Sequence, residues 1–159
     1  GSGGIGAELA DLCLEHGLEV PEFSCQLQEA LRPYLPPYAS VQNPVDLTPI
    51  WWEFPKVYPP LIQILFASAE IDLLLVTIID VATTVEGLMH ALAETATQAS
   101  SDVSLVKPLY LYWASPRPML KNMRILEEAH IPCYESTLET VRVAAAICRH
   151  ATQSAERRF

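Results

Sequence analysis

Gly3, Gly4 and Gly6 stand directly ahead of an amphipathic run that begins at Ala7. A helix N-terminus leaves several N–H groups without intrahelical partners and carries a partial positive charge, so it can hold phosphate without a cationic side chain. Glycines at that point let the backbone approach an anion closely. The same residues also read as a tight turn with no ligand, or as a Gly-Ser leader. A second polar group lies in Asn43-Pro44-Val45-Asp46-Leu47-Thr48. Pro44 stiffens the chain, and Asn43, Asp46 and Thr48 can each bond nearby backbone groups. At the carboxyl end of a strand in an open α/β sheet, where ligands collect, such a loop shapes a site rather than catalysing. Its bland alternative is a loop that satisfies only its own backbone.

Other reactive side chains do not gather by spacing. The four cysteines, Cys13, Cys25, Cys133 and Cys148, form no CxxC pair and no pairing with histidine, so no metal site is expected and they read as free, mostly buried thiols. Of the four histidines, His16 and His130 fall at helix ends, His90 falls mid-helix and His150 near the C-terminus. All four read as helix-end or surface histidines. Glu127-Glu128 and the Asp72/Asp80 pair read as surface and strand-end charges, not as an acid–base couple. Gly4-Ile5-Gly6 lacks the glycine spacing of a dinucleotide fingerprint. No catalytic residue is assigned.

These groups need a scaffold, and the hydrophobic pattern supplies one. A glycine loop leads into a first helix that Gly17 stops, and Leu18 to Pro21 is an extended link. Ser24 caps a second helix from Cys25 to about Tyr34, ended by Leu35-Pro36-Pro37. A short strand within 39–48 enters the constrained loop, and Trp51-Trp52-Glu53-Phe54-Pro55 follows as an aromatic segment suited to packing against another domain. A helix runs from about Pro59 to Ser68. The continuous apolar run within Asp72 to Ile79 predicts a parallel strand covered on both faces. Thr84 caps a helix reaching about Gln98, then Ser100-Ser101-Asp102 makes a polar loop. A strand at Leu109 to Trp113, a turn at Ala114-Ser115-Pro116, a helix at about Met119 to Ala129 and a strand at 131–134 succeed it. Ser136 or Thr137 caps the last helix, about Leu138 to Ala151. The alternation specifies an α/β, doubly wound, mainly parallel sheet flanked by helices. A glycine loop opening a helix normally follows a buried strand, so the first strand is expected to be missing from this sheet. The domain occupies 1–150, and 151–159 is a frayed tail.

Half of the 159 residues are hydrophobic and 18% are charged, which supports one folded core. A formal charge of −9 argues against a nucleic-acid-binding face. It also means that a phosphate held here relies on backbone N–H groups or on another domain's cations. The longest apolar stretch, Ile71 to Val81, is too short to span a bilayer, so a soluble protein of the reducing cytoplasm is expected.

Taken together, Ser2-Gly3-Gly4-Ile5-Gly6-Ala7-Glu8-Leu9-Ala10-Asp11 with Gly17-Leu18-Glu19-Val20-Pro21 resembles the start of the succinyl-CoA-ligase-like flavodoxin domain of acyl-CoA synthetases (NDP-forming), such as ADP-forming acetyl-CoA synthetases. Leu35-Pro36-Pro37 followed by Asn43-Pro44-Val45-Asp46-Leu47-Thr48, then Ile71 to Val76, then Leu126 to Tyr134, resemble later segments of that domain in the same order. The resemblance implies a flavodoxin-like fold. It further implies a parent ligase that joins a carboxylic acid to CoA at the expense of ATP, with Mg, through an acyl phosphate and a phosphohistidine. CoA-binding, phosphohistidine-bearing and ATP-grasp domains are the implied partners, and this domain itself is expected to hold no cofactor. By the same resemblance Gly3, Gly4 and Gly6 face the phosphohistidine, and none of the four histidines here has its glycine-flanked setting. The competing reading is a non-catalytic interaction or regulatory module, or part of an acetyltransferase fusion.

Overall fold

The computed structural model describes residues 3–100, 107–114 and 120–156, without the side chains of 80, 99, 100, 155 and 156. The sequence-predicted features at 1–2, 101–106, 115–119 and 157–159 lie outside the described residues, as does the side chain of Asp80. Among the described residues, β1 (Leu74–Ile79), β2 (Leu109–Ala114) and β3 (Cys133–Tyr134) form a parallel sheet in the order β1-β2-β3. Side chains alternate across a strand, so each strand supplies two faces. Leu74, Val76 and Ile78 lie beside Leu109, Leu111 and Trp113 on one face, while Leu75 and Thr77 lie beside Tyr110 and Tyr112 on the other.

Helices cover both faces. α3 (Phe54–Ala67), α4 (Glu86–Ser100) and α5 (Leu120–Glu128) pack over the first face and enclose the larger core with Val76, Ile78, Leu111 and Trp113. α1 (Gly3–Glu15) and α6 (Thr137–Glu156) pack together over the second, where Leu9, Cys13 and Val141 meet Leu75. α2 (Cys25–Leu31) continues through a 3-10 turn at Arg32–Tyr34 and is capped by Ser24, whose hydroxyl accepts from the Leu27 N–H at 3.2 Å. The α/β class with a parallel sheet between helices is therefore as the residue pattern predicted. No helix among the described residues is long and apolar enough to cross a membrane.

Several boundaries differ, each for a local reason. Gly3, Gly4 and Gly6 form the first turns of α1 instead of a loop before it, and none of them has positive φ. The strand expected within 39–48 is a single antiparallel bridge between Ser40 and Asp46, because the chain turns back on itself between these two residues. α3 starts at Phe54, ahead of the expected Pro59, so Pro59 and Pro60 lie inside it. Each interior proline costs about 3 kcal/mol. Seven buried side chains from Phe54 to Phe66, each stabilising by about 1.5–3 kcal/mol, outweigh that cost. Thr84 does not cap α4, since its hydroxyl donates to the Val81 carbonyl at 2.7 Å and closes the 3-10 turn Asp80–Thr84. α6 is capped by Ser136 and continues to Glu156, so the expected frayed tail is helical that far. The cysteines are free, but Cys13 alone is buried; Cys25 is exposed and the other two are half-buried.

α1 and α5 end in the same way. Leu18 N–H bonds the Cys13 carbonyl and Gly17 N–H the Leu14 carbonyl, while Ile131 N–H bonds Leu126 and His130 N–H bonds Glu127. This double hydrogen bond requires a left-handed residue after the helix. Gly17 supplies it at φ 79°, but His130 adopts φ 61° with a full side chain. His130→Gly is expected to stabilise the fold by about 1 kcal/mol in denaturant unfolding, by removing that conformational penalty. Glu70 accepts from both the hydroxyl and the N–H of Ser24, at 2.6 and 2.8 Å, and the hydroxyl followed by the N–H holds its carboxyl below the ordinary carboxylate range. A depressed carboxyl stabilises above its unfolded pKa, and that stability is lost as pH falls through the folded value. Unfolding midpoints measured between pH 6 and pH 3 should fall less steeply for Glu70→Gln than for the parent chain.

Candidate functional site

Gly3 and Gly6 of one group singled out by type, and Asn43 and Asp46 of the other, come together in the lining of a cleft of about 970 Å³; Gly4 and Thr48 are not part of that lining. The N-terminus of α1 lies against the loop carrying Asn43, Asp46 and Thr48. A Cβ placed on Gly3 would come 2.9 Å from Asp46 Oδ2, whereas one on Gly6 would meet Pro44 at an ordinary 3.6 Å. Real side chains essentially never approach as closely as the first distance, so Gly3 is small because Asp46 is there. The value of Gly3 therefore lies in close approach, with its backbone in the helical region.

Asp46 holds the loop in shape. Its Oδ1 accepts from the Thr48 N–H at 3.0 Å, and its own N–H donates to the Ser40 carbonyl at 3.1 Å. Thr48 takes φ 60°, which is costly for a β-branched residue and persists only where its surroundings fix it. The Ile50 N–H donates to the Thr48 carbonyl at 2.9 Å, yet the buried Thr48 hydroxyl has no hydrogen-bond partner among the described residues. Asn43 turns away from this centre, and its amide donates to the Pro21 carbonyl at 3.2 Å. Asn43 thus ties the loop to the link after α1, and both Asn43 and Asp46 line the cleft, whereas Thr48 does not and acts by fixing Asp46.

Residue type alone did not single out Tyr58. It is buried on α3, its hydroxyl donates to the Thr77 carbonyl at 3.1 Å, and burial followed by the Asp46 charge pushes its pKa up. The phenol is therefore a fixed hydrogen-bond donor across the pH range in which the protein works. The helix expected from about Pro59 left Tyr58 outside it, because α3 starts earlier, at Phe54. The cleft is lined by the carboxylates Asp11, Glu19, Asp46, Glu70 and Asp72, and by no lysine, arginine or histidine among the described residues.

Of the other reactive groups singled out by type, Cys13 and Cys148 line the cleft, and the four histidines and Cys133 do not. His90 is exposed and pairs with Glu86 at 3.7 Å, the His16 carbonyl accepts from Arg149 at 3.5 Å, and His130 and His150 are exposed. Burial, with Glu127 adding to it, pushes the Cys133 thiol up to about 12, so it stays protonated and a poor nucleophile. No group of three His, Cys, Asp or Glu side chains among the described residues is placed to share a metal ion. Trp51 and Trp52 meet edge to face at 5.6 Å and remain 40% and 58% exposed.

The Ligase-CoA domain family matches residues 1–157 of this sequence. The chain belongs to that family. This Ligase-CoA domain is 29% identical over 151 residues to the ADP-forming acetate–CoA ligase II subunit alpha of Pyrococcus furiosus, covering 94% of the present chain and 32% of that subunit. A solved Pyrococcus horikoshii OT3 protein superposes with a TM-score of 0.80 at 27% identity, over 95% of this chain and 34% of its own. The fold also matches dinucleotide forming acetyl-coenzyme A synthetase 1 of Ca. Korarchaeum cryptofilum, at TM-score 0.78 and 18% identity over 95% of this chain and 32% of that one. The Ligase-CoA domain thus spans about a third of the length of the proteins it resembles.

The two glycines make opposite predictions. Gly6→Ala should stabilise the domain by about 0.5–1 kcal/mol, because alanine favours helix and meets no close neighbour. Gly3→Ala should lack that gain, since its Cβ displaces Asp46 Oδ2 and loosens Thr48. Denaturant unfolding in an Asp46→Ala background should erase the difference between the two glycine variants.

Proposed function

We propose that this Ligase-CoA domain works within an ADP-forming acid–CoA ligase that converts a carboxylic acid, CoA and ATP to acyl-CoA, ADP and phosphate. In this reading the parent passes phosphate through an acyl phosphate and a phosphohistidine borne by another domain. ATP with Mg, and CoA, are held by the ATP-grasp and CoA-binding domains, and the whole operates in the cytoplasm. The contribution of the present domain is the N-terminus of α1, presented to the phosphate. The family match and the acetate–CoA ligase relative support the ligase. The observation that carries the domain's own part is the meeting of Gly3 with Asp46 at the end of the cleft.

Chemically, the first turn of α1 offers unpaired N–H groups to an anion in a cleft lined by no basic side chain among the described residues. Asp46 is the opposing feature. Its carboxylate stands where it repels an arriving phosphate and competes for the same positive end of the helix. A phosphate therefore binds as Asp46 rotates aside. The exposed Trp51-Trp52 pair provides an apolar surface for the neighbouring domain that brings the phosphate.

The test uses the complete enzyme and radiolabelled ATP. Gly3→Val should lower phosphoenzyme formation by tenfold or more while nucleotide affinity and thermal stability stay near the parent values. Asp46→Asn should retain or raise labelling, because it removes the repulsion. Full labelling in Gly3→Val would sink the role given to α1. The isolated domain should form no thioester from acetate, ATP and CoA, and turnover by it would overturn the division of labour among domains.

A further inference from the structure

A second cavity, of about 390 Å³, lies at the amino ends of β2 and β3, with neither Gly3 nor Asp46 in its lining. Its apolar walls are Phe66 from the end of α3, Leu109 from β2 and Ile131 from the link after α5, all three buried. Pro108 and Pro132 belong to the same lining. One amine reaches into this setting. Lys107, two residues ahead of β2, lines the cavity, and its Nζ donates to the carbonyl of Ser68, the residue that caps the end of α3. Carbonyls at the end of a helix lack intrahelical partners, and a lysine folded back over one of them is held in place.

Lys107 differs from the other lysines, Lys56 and Lys121. Lys56 is 81% exposed and pairs with Glu53 at 3.5 Å, and Lys121 is exposed on α5. Lys107 is half-buried, and burial holds its amine below the ordinary lysine value, with the Asp72 charge pulling the other way. Its hydrogen-bond partner is a neutral carbonyl. The uncharged amine therefore keeps that bond, donating one N–H to Ser68 while its lone pair stays free. A positioned, partly desolvated amine beside an apolar cavity is the arrangement that makes lysine a nucleophile. We propose that Lys107 is acylated by acyl-CoA, with the cavity receiving the hydrocarbon part of the acyl group. The amine attacks the thioester carbonyl, the C–N bond forms as the C–S bond breaks, and CoA leaves as the thiol with the amine's proton. The resulting amide retains one N–H for Ser68 but loses the positive charge. Each CH₂ that the chain buries against Phe66, Leu109 and Ile131 favours the reaction about fourfold. The proposal rests on the ligase reading above only for where the thioester comes from.

The test incubates the full-length protein with acetyl-CoA or butyryl-CoA at neutral pH, leaving out nucleotide and phosphate. Acylation at Lys56, Lys107 and Lys121 is followed by peptide mass spectrometry. Lys107 should react about fivefold or more faster than Lys121. Butyryl-CoA should outpace acetyl-CoA by about fivefold at Lys107 but not at Lys56 or Lys121. In urea the three lysines should react alike. Butyryl-CoA treatment should raise the melting temperature of the protein and leave that of Lys107→Arg unchanged. Lys107 reacting no faster than Lys121 overturns the proposal. Equal rates with the two thioesters at Lys107 overturn it too, because the cavity then takes no part. A preference for Lys107 that persists in urea would come from local sequence alone and overturns it as well. These rates need neither ATP nor phosphate, so they stand or fall apart from the ligase reading.

Discussion

The parallel pairing of β1 with β2 is the constraint on which the rest of the molecule depends. A parallel pair needs a long crossover, and a strand rich in Leu, Val and Ile needs cover on both faces. α4 provides the crossover from β1 to β2, and α5 the one from β2 to β3. With α3, α4 and α5 on one face, the second falls to α1 and α6, the two ends of the chain. The N-terminus of α1 is thereby carried to the Asn43–Thr48 loop, and the site exists because the sheet needs a second layer.

Polarity within that site is set by what the packing leaves unpaired. Asp46 is fixed by the Thr48 N–H, Gly3 has no Cβ to keep the carboxylate away, and Tyr58 is held protonated by burial beside it. The result is a positive helix end faced by a carboxylate, a balance that an arriving anion can shift. A lysine in the same place would hold phosphate more tightly and release it less readily. Backbone N–H groups at a helix start attract an anion without a full charge.

Local chemistry made some elements legible and misplaced others. Ser24, Gly17 and Ser136 act at helix ends as their residue types require, and the apolar run ending at Ile79 is a parallel strand, buried at Val76 and Ile78 and half-buried elsewhere. Pro59 and Pro60 misled, because the general penalty for interior proline is overcome where seven neighbours are buried. Glycines 3, 4 and 6 misled in the opposite direction: their freedom suggested a loop, but the backbone stays helical and only the missing Cβ of Gly3 is used. Thr84 was a plausible cap, and the tighter 3-10 turn took its hydroxyl first.

By itself the sequence determined the α/β class, the caps at Ser24 and Ser136, the stop at Gly17, the family resemblance and the two polar groups at Gly3–Gly6 and Asn43–Thr48. Those features are local: they follow from side-chain period, from missing N–H or Cβ groups, and from short-range hydrogen bonding. Only the tertiary structure decided that the two groups meet, that Asn43 ties to Pro21 while Asp46 turns to Gly3, and that Tyr58 stands at the β1 edge. These depend on residues far apart in the sequence, and no local periodicity encodes which face of which helix will close over a sheet. The expectation that opened the site, a glycine-rich loop holding phosphate, became a helix start pressed against a carboxylate, because packing placed Asp46 where the third dimension left room.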